Sequence, residues 1–382
     1  MIELSWPQVS ARRLERAGLG ARPAGPAEAA GPAETVAAMC GAHAQVMSAG
    51  EASVGLRLDG VTRTGVRRAL WEEGSLVKTY GPRGTVHLLP SSDVPMWVAA
   101  LSTVPATHRV ASPEIRMTAE QSEQVVAAIR DVLAGAELTI DELSDAVVAA
   151  TGPWAGDLVM PAFQGMWPRW RQVMHLAAHR GAFVFGAGRG RKVTYTASPA
   201  AASAPYAGDG AGDLVRNYLR AYGPATPAHF AQWAGGPVTW AAQAFKRVEL
   251  EEVRLEGQPA WVLAGDTEVP GEPPRGVRLL PYFDAYVVAG RPRELLYPGA
   301  AAGRALAGGQ AGNFPVLLVD GEVAGVWHQR RSGKRMDVTV EPLRDLTAAQ
   351  SRELEEQVER VGAVMEATPR LTIGTVTVGA HA

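Results

Sequence analysis

One pattern of apolar and polar positions recurs along this chain: a helical stretch or two, then a pair of short alternating stretches joined by a turn bearing Gly or Arg. The first instance fills residues 1–90. Residues 6–17 are predicted helical, with Ser5 as N-cap and Pro7 in the first turn. The Gly/Ala/Pro-rich run at 20–32 is predicted as a linker, and 33–41 and 62–73 as further helices. Residues 76–80 and 85–89 then read as strands on either side of Gly81-Pro82-Arg83-Gly84. A helix followed by such a hairpin has the outline of a winged helix.

The second instance spans 118–197. Thr118 caps a helix at 119–134, Thr139 and Glu142 form a capping box for the next, and a further helix is predicted within 161–180. A second hairpin joins 182–185 to 191–195 around Gly186-Ala187-Gly188-Arg189-Gly190. The third instance has helices at 213–222, 226–234 and 239–247 and strands at 250–255 and 260–263. Beyond Pro273-Pro274 strands dominate, at 279–284, 316–319 and 323–327. The last two meet at Asp320-Gly321, a two-residue hairpin signal, and an amphipathic helix at 348–366 follows. The pattern predicts an α+β chain: three tandem winged-helix units (1–112, 113–205 and 206–270) and a small β-rich C-terminal subdomain with a terminal helix (271–382).

Composition bounds the function classes. With 382 residues, 47% of them hydrophobic and 20% charged, the chain suits a globular protein of several domains. No apolar run reaches the roughly 18 residues of a membrane span, and the start lacks a basic-then-apolar leader. A cytoplasmic protein with no membrane partner is expected. A single cysteine, Cys40, excludes an internal disulfide framework and a cysteine-rich zinc site. The net charge of −2 argues against nucleic-acid binding by bulk charge alone. Its distribution argues differently. Residues 158–208 hold no Asp or Glu, yet they carry Arg169, Arg171, Arg180, Arg189, Arg191 and Lys192. A second cluster, Arg330, Arg331, Lys334 and Arg335, lies near the C-terminus. Such asymmetry predicts a one-faced phosphate-binding surface.

The most informative segment is Gly41-Ala42-His43-Ala44-Gln45-Val46. If it is extended, His43 and Gln45 point to one side and Ala44 to the other. Read from the residues alone, the same triplet also fits two side chains that tie down a loop. The other candidates are less specific. Gly186 to Lys192 lacks the Gly-Lys-Ser/Thr ending of a phosphate loop and reads as a hairpin tip offering Arg189 and Arg191 to DNA. His175 and His179 have helical metal-ligand spacing, but Leu176 stands where a zinc protease has Glu, so no metal is expected. Arg83 and His87 either line a cleft or hold their hairpin. Asp284 and Tyr286 alternate along a predicted strand and suggest a structural duty.

Several of these segments together resemble the AlkZ/YcaQ-like bacterial DNA glycosylases. They are Leu4-Ser5-Trp6 with Ala11-Arg12-Arg13-Leu14, Arg83-Gly84-Thr85-Val86-His87-Leu88-Leu89-Pro90, Leu280-Pro281-Tyr282-Phe283-Asp284-Ala285-Tyr286, and residues 316–331. That family carries a Gln-aliphatic-Gln or Gln-aliphatic-Asp triplet at its active centre. Here His43-Ala44-Gln45 stands at the matching place, with Gln45 in agreement and His43 a departure. The resemblance implies a monomeric, cofactor-free enzyme that hydrolyses the N-glycosidic bond of alkylated purines in double-stranded DNA. Bulky N7-guanine adducts of a DNA-alkylating natural product are the favoured substrate, in base-excision repair and self-resistance. It also implies Gln45 orienting water or touching the sugar and a neutral His43 accepting the water's proton; the charge pattern and the hairpins add Arg83, His87, Arg169, Arg171, Arg189, Arg191, Lys192, Arg330 and Arg331 as the expected DNA contacts. No Lys adjoins the triplet, which favours hydrolysis over Schiff-base chemistry. Two other readings stay open from the sequence: a winged-helix transcription regulator, and an inactive relative that shields lesions.

Overall fold

The computed structural model describes residues 2–20, 30–105, 112–162, 165–201 and 203–380. Most of the predicted linker lies outside them. The chain opens with β1 (Ile2–Leu4) and α1 (Trp6–Arg16), whose capping box joins Ser5 to Gln8. There follow α2 (Pro32–Ala38), β2 (Ala42–His43), α3 (Met47–Gly55), α4 (Arg63–Trp71), β3 (Leu76–Tyr80), β4 (Val86–Pro90) and α5 (Val94–Leu101). The predicted Thr118 cap and Thr139–Glu142 capping box both form, the Thr118 cap with Gln121 as a box that the sequence reading had not named, starting α6 (Ala119–Val132) and, after β5 (Glu137–Thr139), α7 (Ile140–Thr151).

Ahead of the helix expected within 161–180, α8 (Met174–His179), the chain makes a two-stranded hairpin, β6 (Leu158–Ala162) and β7 (Gly165–Pro168). β8 (Val184–Phe185), β9 (Thr194–Thr196), α9 (Gly210–Tyr222), α10 (Pro227–Ala234), α11 (Val238–Phe245), β10 (Leu250–Leu255) and β11 (Gln258–Leu263) complete this half. The C-terminal part holds β12 (Val277–Leu280), α12 (Ala285–Ala289), α13 (Arg293–Leu296), α14 (Ala300–Ala305), β13 (Val316–Val319), β14 (Glu322–Ser332), β15 (Arg335–Pro342), α15 (Ala348–Met365) and β16 (Thr368–Ile373).

The fold is α+β, with its strands in several small sheets. Three have three strands, ordered β2-β4-β3, β5-β9-β8 and β1-β10-β11, and a five-stranded one runs β12-β13-β14-β15-β16. β1 joins β10 in parallel, which ties the N-terminus to the end of the third helical group. The β13–β14 turn has Asp320 and Gly321 both at positive φ, 53° and 84°, as a two-residue hairpin of primed type requires. No described helix is long and apolar enough to cross a membrane.

One strand expectation is corrected. Residues 279–284 were expected to be extended throughout, yet β12 ends at Leu280. Phe283 has φ 54°, and Asp284 caps α12 by accepting the Tyr286 N–H at 3.0 Å. Asp284 and Tyr286 therefore do not alternate along a strand. The reason is a buried ion pair: Asp284 accepts both terminal nitrogens of Arg57 at 2.8 Å and the Ser53 hydroxyl at 2.6 Å, with both charged side chains fully buried. Arg57 also donates to the carbonyls of Ala17 and Ser53. This lock fastens the loop before α12 to α1 and α3.

Candidate active site

The site begins at a sharp turn. Cys40 and Gly41 follow α2 with φ of 52° and 91°, and together they swing the chain into β2. A Cβ on Gly41 would sit 3.1 Å from a Leu89 methyl, so a side chain there would meet both strain and crowding. β2 pairs antiparallel with β4, placing His43 opposite His87 and their rings 4.1 Å apart. Ala44 continues the ladder through its N–H to Val86 O at 2.8 Å. Where β2 peels away, the Gln45 side chain takes over, its Oε1 accepting the Val86 N–H at 3.3 Å. β2 covers Ala42–His43, Ala44 continues its ladder and the chain bends at Gln45; His43 and Gln45 line one cavity, and Ala44 is fully buried.

That cavity has a volume of about 450 Å³. Around His43 and Gln45 it is walled by Arg83, Phe283, Arg291 and Asn313, among others. Neither a carboxylate nor a lysine is among its described lining residues. Phe283 stacks on His43 at 6.0 Å between ring centroids, held there by the Asp284 lock next to it in the chain.

Arg83 sets the tautomer of His43. It sits at φ 60° in the tight turn between β3 and β4, donates to Trp233 O, and places Nη2 2.6 Å from His43 Nε2. A guanidinium only donates, so Nε2 accepts and a neutral His43 carries its proton on Nδ1. That Nδ1 is buried and has no hydrogen-bond partner among the described residues. Burial first, then His87 and Arg83, push His43 well below its ordinary value of 6.5. His87 donates Nδ1–H to Thr85 O at 2.8 Å, and burial followed by Arg83 pushes its pKa down to about 3. Both rings are neutral near pH 7. Gly235 is what lets Arg83 come so close, since a Cβ there would stand 2.8 Å from Arg83 Cα.

The sequence-predicted residues separate into two groups. His43, Gln45, Arg83 and His87 come together. The remaining cations do not line the cavity. Arg169 donates to Ile115 O and pairs with Asp157, and Arg171 lies 4.1 Å from the centroid of the exposed Trp167. Arg189 is ion-paired with Glu142 at 2.6 Å and Lys192 with Asp141 at 2.9 Å, whereas Arg191 is exposed. Arg330 is exposed on β14, and Arg331 donates to the carbonyls of Met365 and Glu366 at the end of α15. His179 donates to Gly81 O at 2.9 Å and so braces the hairpin tip that carries Arg83. The sequence reading missed Phe283 as a wall, Asn313, and Arg291. The motif Arg291-Pro292-Arg293, two neighbouring cations in a Gly-bounded loop, was the available signal.

A family model described as "DNA glycosylase AlkZ-like" matches residues 36–364. The chain belongs to the AlkZ-like DNA glycosylase family. This AlkZ-like chain is therefore a DNA glycosylase, which sets aside the reading as a transcription regulator. It is 30% identical over 347 residues, 85% of this chain and 88% of the relative, to the interstrand DNA cross-link repair glycosylase of Streptomyces sahachiroi. It also resembles the solved structure of the Streptomyces sahachiroi DNA glycosylase AlkZ, at 27% identity and a TM-score of 0.78, covering 98% of this chain and 100% of that one.

Proposed function

We propose that this glycosylase hydrolyses the N-glycosidic bond of N7-alkylated purines in double-stranded DNA, with bulky guanine adducts favoured, as a repair enzyme. The observation that carries the reading is the cavity shared by His43 and Gln45, with no carboxylate in its described wall. An N7-alkylated purine is already cationic and leaves without a protonated acid beside it. The enzyme must supply a positioned water and neutral dipoles for an oxocarbenium-like sugar. Neutral His43 and the amide of Gln45 are such groups, and a cationic His would repel the cationic base. The relative named for cross-link repair supports the repair context.

The roles follow from the hydrogen bonds. Gln45, with Oε1 held by the Val86 N–H, presents its amide to the water or sugar. His43 Nε2 is capped by Arg83, so it takes the proton of the attacking water only once DNA draws that guanidinium aside. We infer that three winged-helix units (1–112, 113–205, 206–270) and a β-rich subdomain (271–382) frame the cavity as a monomeric cradle. The small three-stranded sheets β2-β4-β3 and β5-β9-β8, each following helices, support the first two units. The third shares its sheet with β1. Arg169, Arg171, Arg189, Arg191, Lys192, Arg330 and Arg331 serve as outlying phosphate contacts.

Single-turnover release of free base tests the reading, using one duplex with N7-methylguanine and another with a bulky N7-guanine adduct. Loss of the general base in His43→Ala slows release by about 10²-fold or more, and Gln45→Ala slows it as well. Wild-type rates in both variants would remove the pair from the mechanism.

A further inference from the structure

The three guanidinium groups around the cavity are not equivalent. Arg83 is tied to His43 and Trp233 O. Arg293 donates to the carbonyls of Val287 and Val288 at the end of α12 and lies 5.8 Å from the centroid of Tyr297. Both are held by the protein's own groups in this structure. Arg291 differs. Its backbone carbonyl is held by Arg13 Nη1 at 2.5 Å, which fixes the main chain. Its side chain is half-buried in the cavity wall and makes no hydrogen bond, ion pair or ring contact with any described residue. Glu294 lies close enough to be felt but is exposed and forms no ion pair with it.

Half-burying a guanidinium without a counter-charge is unfavourable, and it persists where a ligand supplies the anion. The described cavity wall has no carboxylate to do so. A nucleotide whose sugar and base reach His43 and Gln45 necessarily brings its flanking phosphates to the rim of the same cavity. A planar guanidinium is suited to grip a phosphate through two parallel N–H donors. We propose that Arg291 is the phosphate seat of this glycosylase, a positioning residue that clamps a backbone phosphate flanking the damaged nucleotide and so sets the sugar against His43 and Gln45. The proposal rests on the reading of this cavity as the one that receives the nucleotide. Arg291 touches neither the scissile bond nor the leaving base. Its loss therefore acts through binding and register.

The test reads binding apart from catalysis. The probe is a duplex with a tetrahydrofuran abasic-site analogue, in which the phosphates on either side of the analogue are replaced one at a time by methylphosphonate. Fluorescence anisotropy gives Kd for the wild type, Arg291→Ala and Arg291→Lys. In the wild type one replacement weakens binding by about tenfold, as loss of one charge-assisted contact should. In Arg291→Ala that replacement weakens binding no further, and the slope of log K against log salt becomes shallower by about 0.9. Arg291→Lys keeps the slope, because it keeps the charge, but regains only part of the affinity because it lacks the fork. Should Arg291→Ala fail to fold, the scan on the wild type and on Arg291→Lys decides the matter, since a seat predicts one sensitive phosphate whose cost shrinks in the lysine variant.

An unchanged salt slope in Arg291→Ala, or a phosphate scan indifferent to position 291, overturns the proposal. A wild type that shows the coupled phosphate yet releases no alkylated base would overturn the proposed activity and leave the seat standing. A wild type that releases base but shows no coupling would do the reverse.

Discussion

At the scale of single residues, His43 is a ring kept neutral and kept capped, as the proposed role of base requires. Burial, His87 and Arg83 all disfavour its cationic form. Because the shift is downward, the neutral form that must accept a proton persists below the ordinary pKa of 6.5 and is lost only at lower pH. The acidic limb of kcat/KM, which reports the free enzyme, should therefore fall below pH 6.5, with the rate level from pH 8 down to that point. A pH–rate profile of base release checks this, and a limb centred at or above 6.5 would mean that His43 is not the titrating base. His43→Gln, which keeps a neutral polar group but removes the titrating ring, should lose that limb altogether. The sequence made this pair legible because an extended triplet has only two sides. It did not reveal that Arg83 occupies Nε2 or that Phe283 covers the ring, since those contacts join residues 40 positions apart and more than 200 apart, and leave no periodic trace.

At the scale of elements, the sequence was readable wherever a local rule decides the outcome. The Thr118 cap, the Thr139–Glu142 capping box and the Asp320-Gly321 turn depend on neighbours three residues away or fewer. α3 was not read because its residues from Ala49 to Gly55 are all buried, so it has no polar face to generate a period. The segment around Asp284 was misread because its geometry is set by Arg57, 227 positions earlier in the chain. That lock should be demanding. Removing one partner of a buried, fully hydrogen-bonded ion pair costs about 3–5 kcal/mol. Asp284→Ala should lose that much in urea unfolding, and its folded fraction should release base more slowly because Phe283 no longer holds the His43 ring. If stability falls but the rate per folded molecule is unchanged, the lock serves the fold alone.

At the scale of the whole molecule, charge asymmetry along the sequence does not translate directly into a free cationic face. Residues 158–208 lack acids, yet folding brings acids to them from elsewhere: Glu142 to Arg189, Asp141 to Lys192 and Asp157 to Arg169. The pairs of Arg189 and Lys192 are exposed. Exposed pairs are worth at most about 1 kcal/mol each, so DNA phosphates can replace these two carboxylates at small cost. Under the proposed function the β8–β9 hairpin is a screened DNA contact, held near neutrality until a duplex competes for its cations. Asp141→Asn combined with Glu142→Gln should release both cations while keeping the helix cap, because Gln serves in a capping box as well as Glu does. Affinity for undamaged duplex at low salt should rise several-fold, roughly 1 kcal/mol. Arg189→Gln with Lys192→Gln should instead weaken binding and reduce the salt slope by about two phosphates' worth, near 1.8. The two double variants move affinity in opposite directions only if the hairpin docks on DNA. If neither changes the salt slope, the acid-free stretch owes its composition to the fold, and the DNA is held by the cavity and its rim alone.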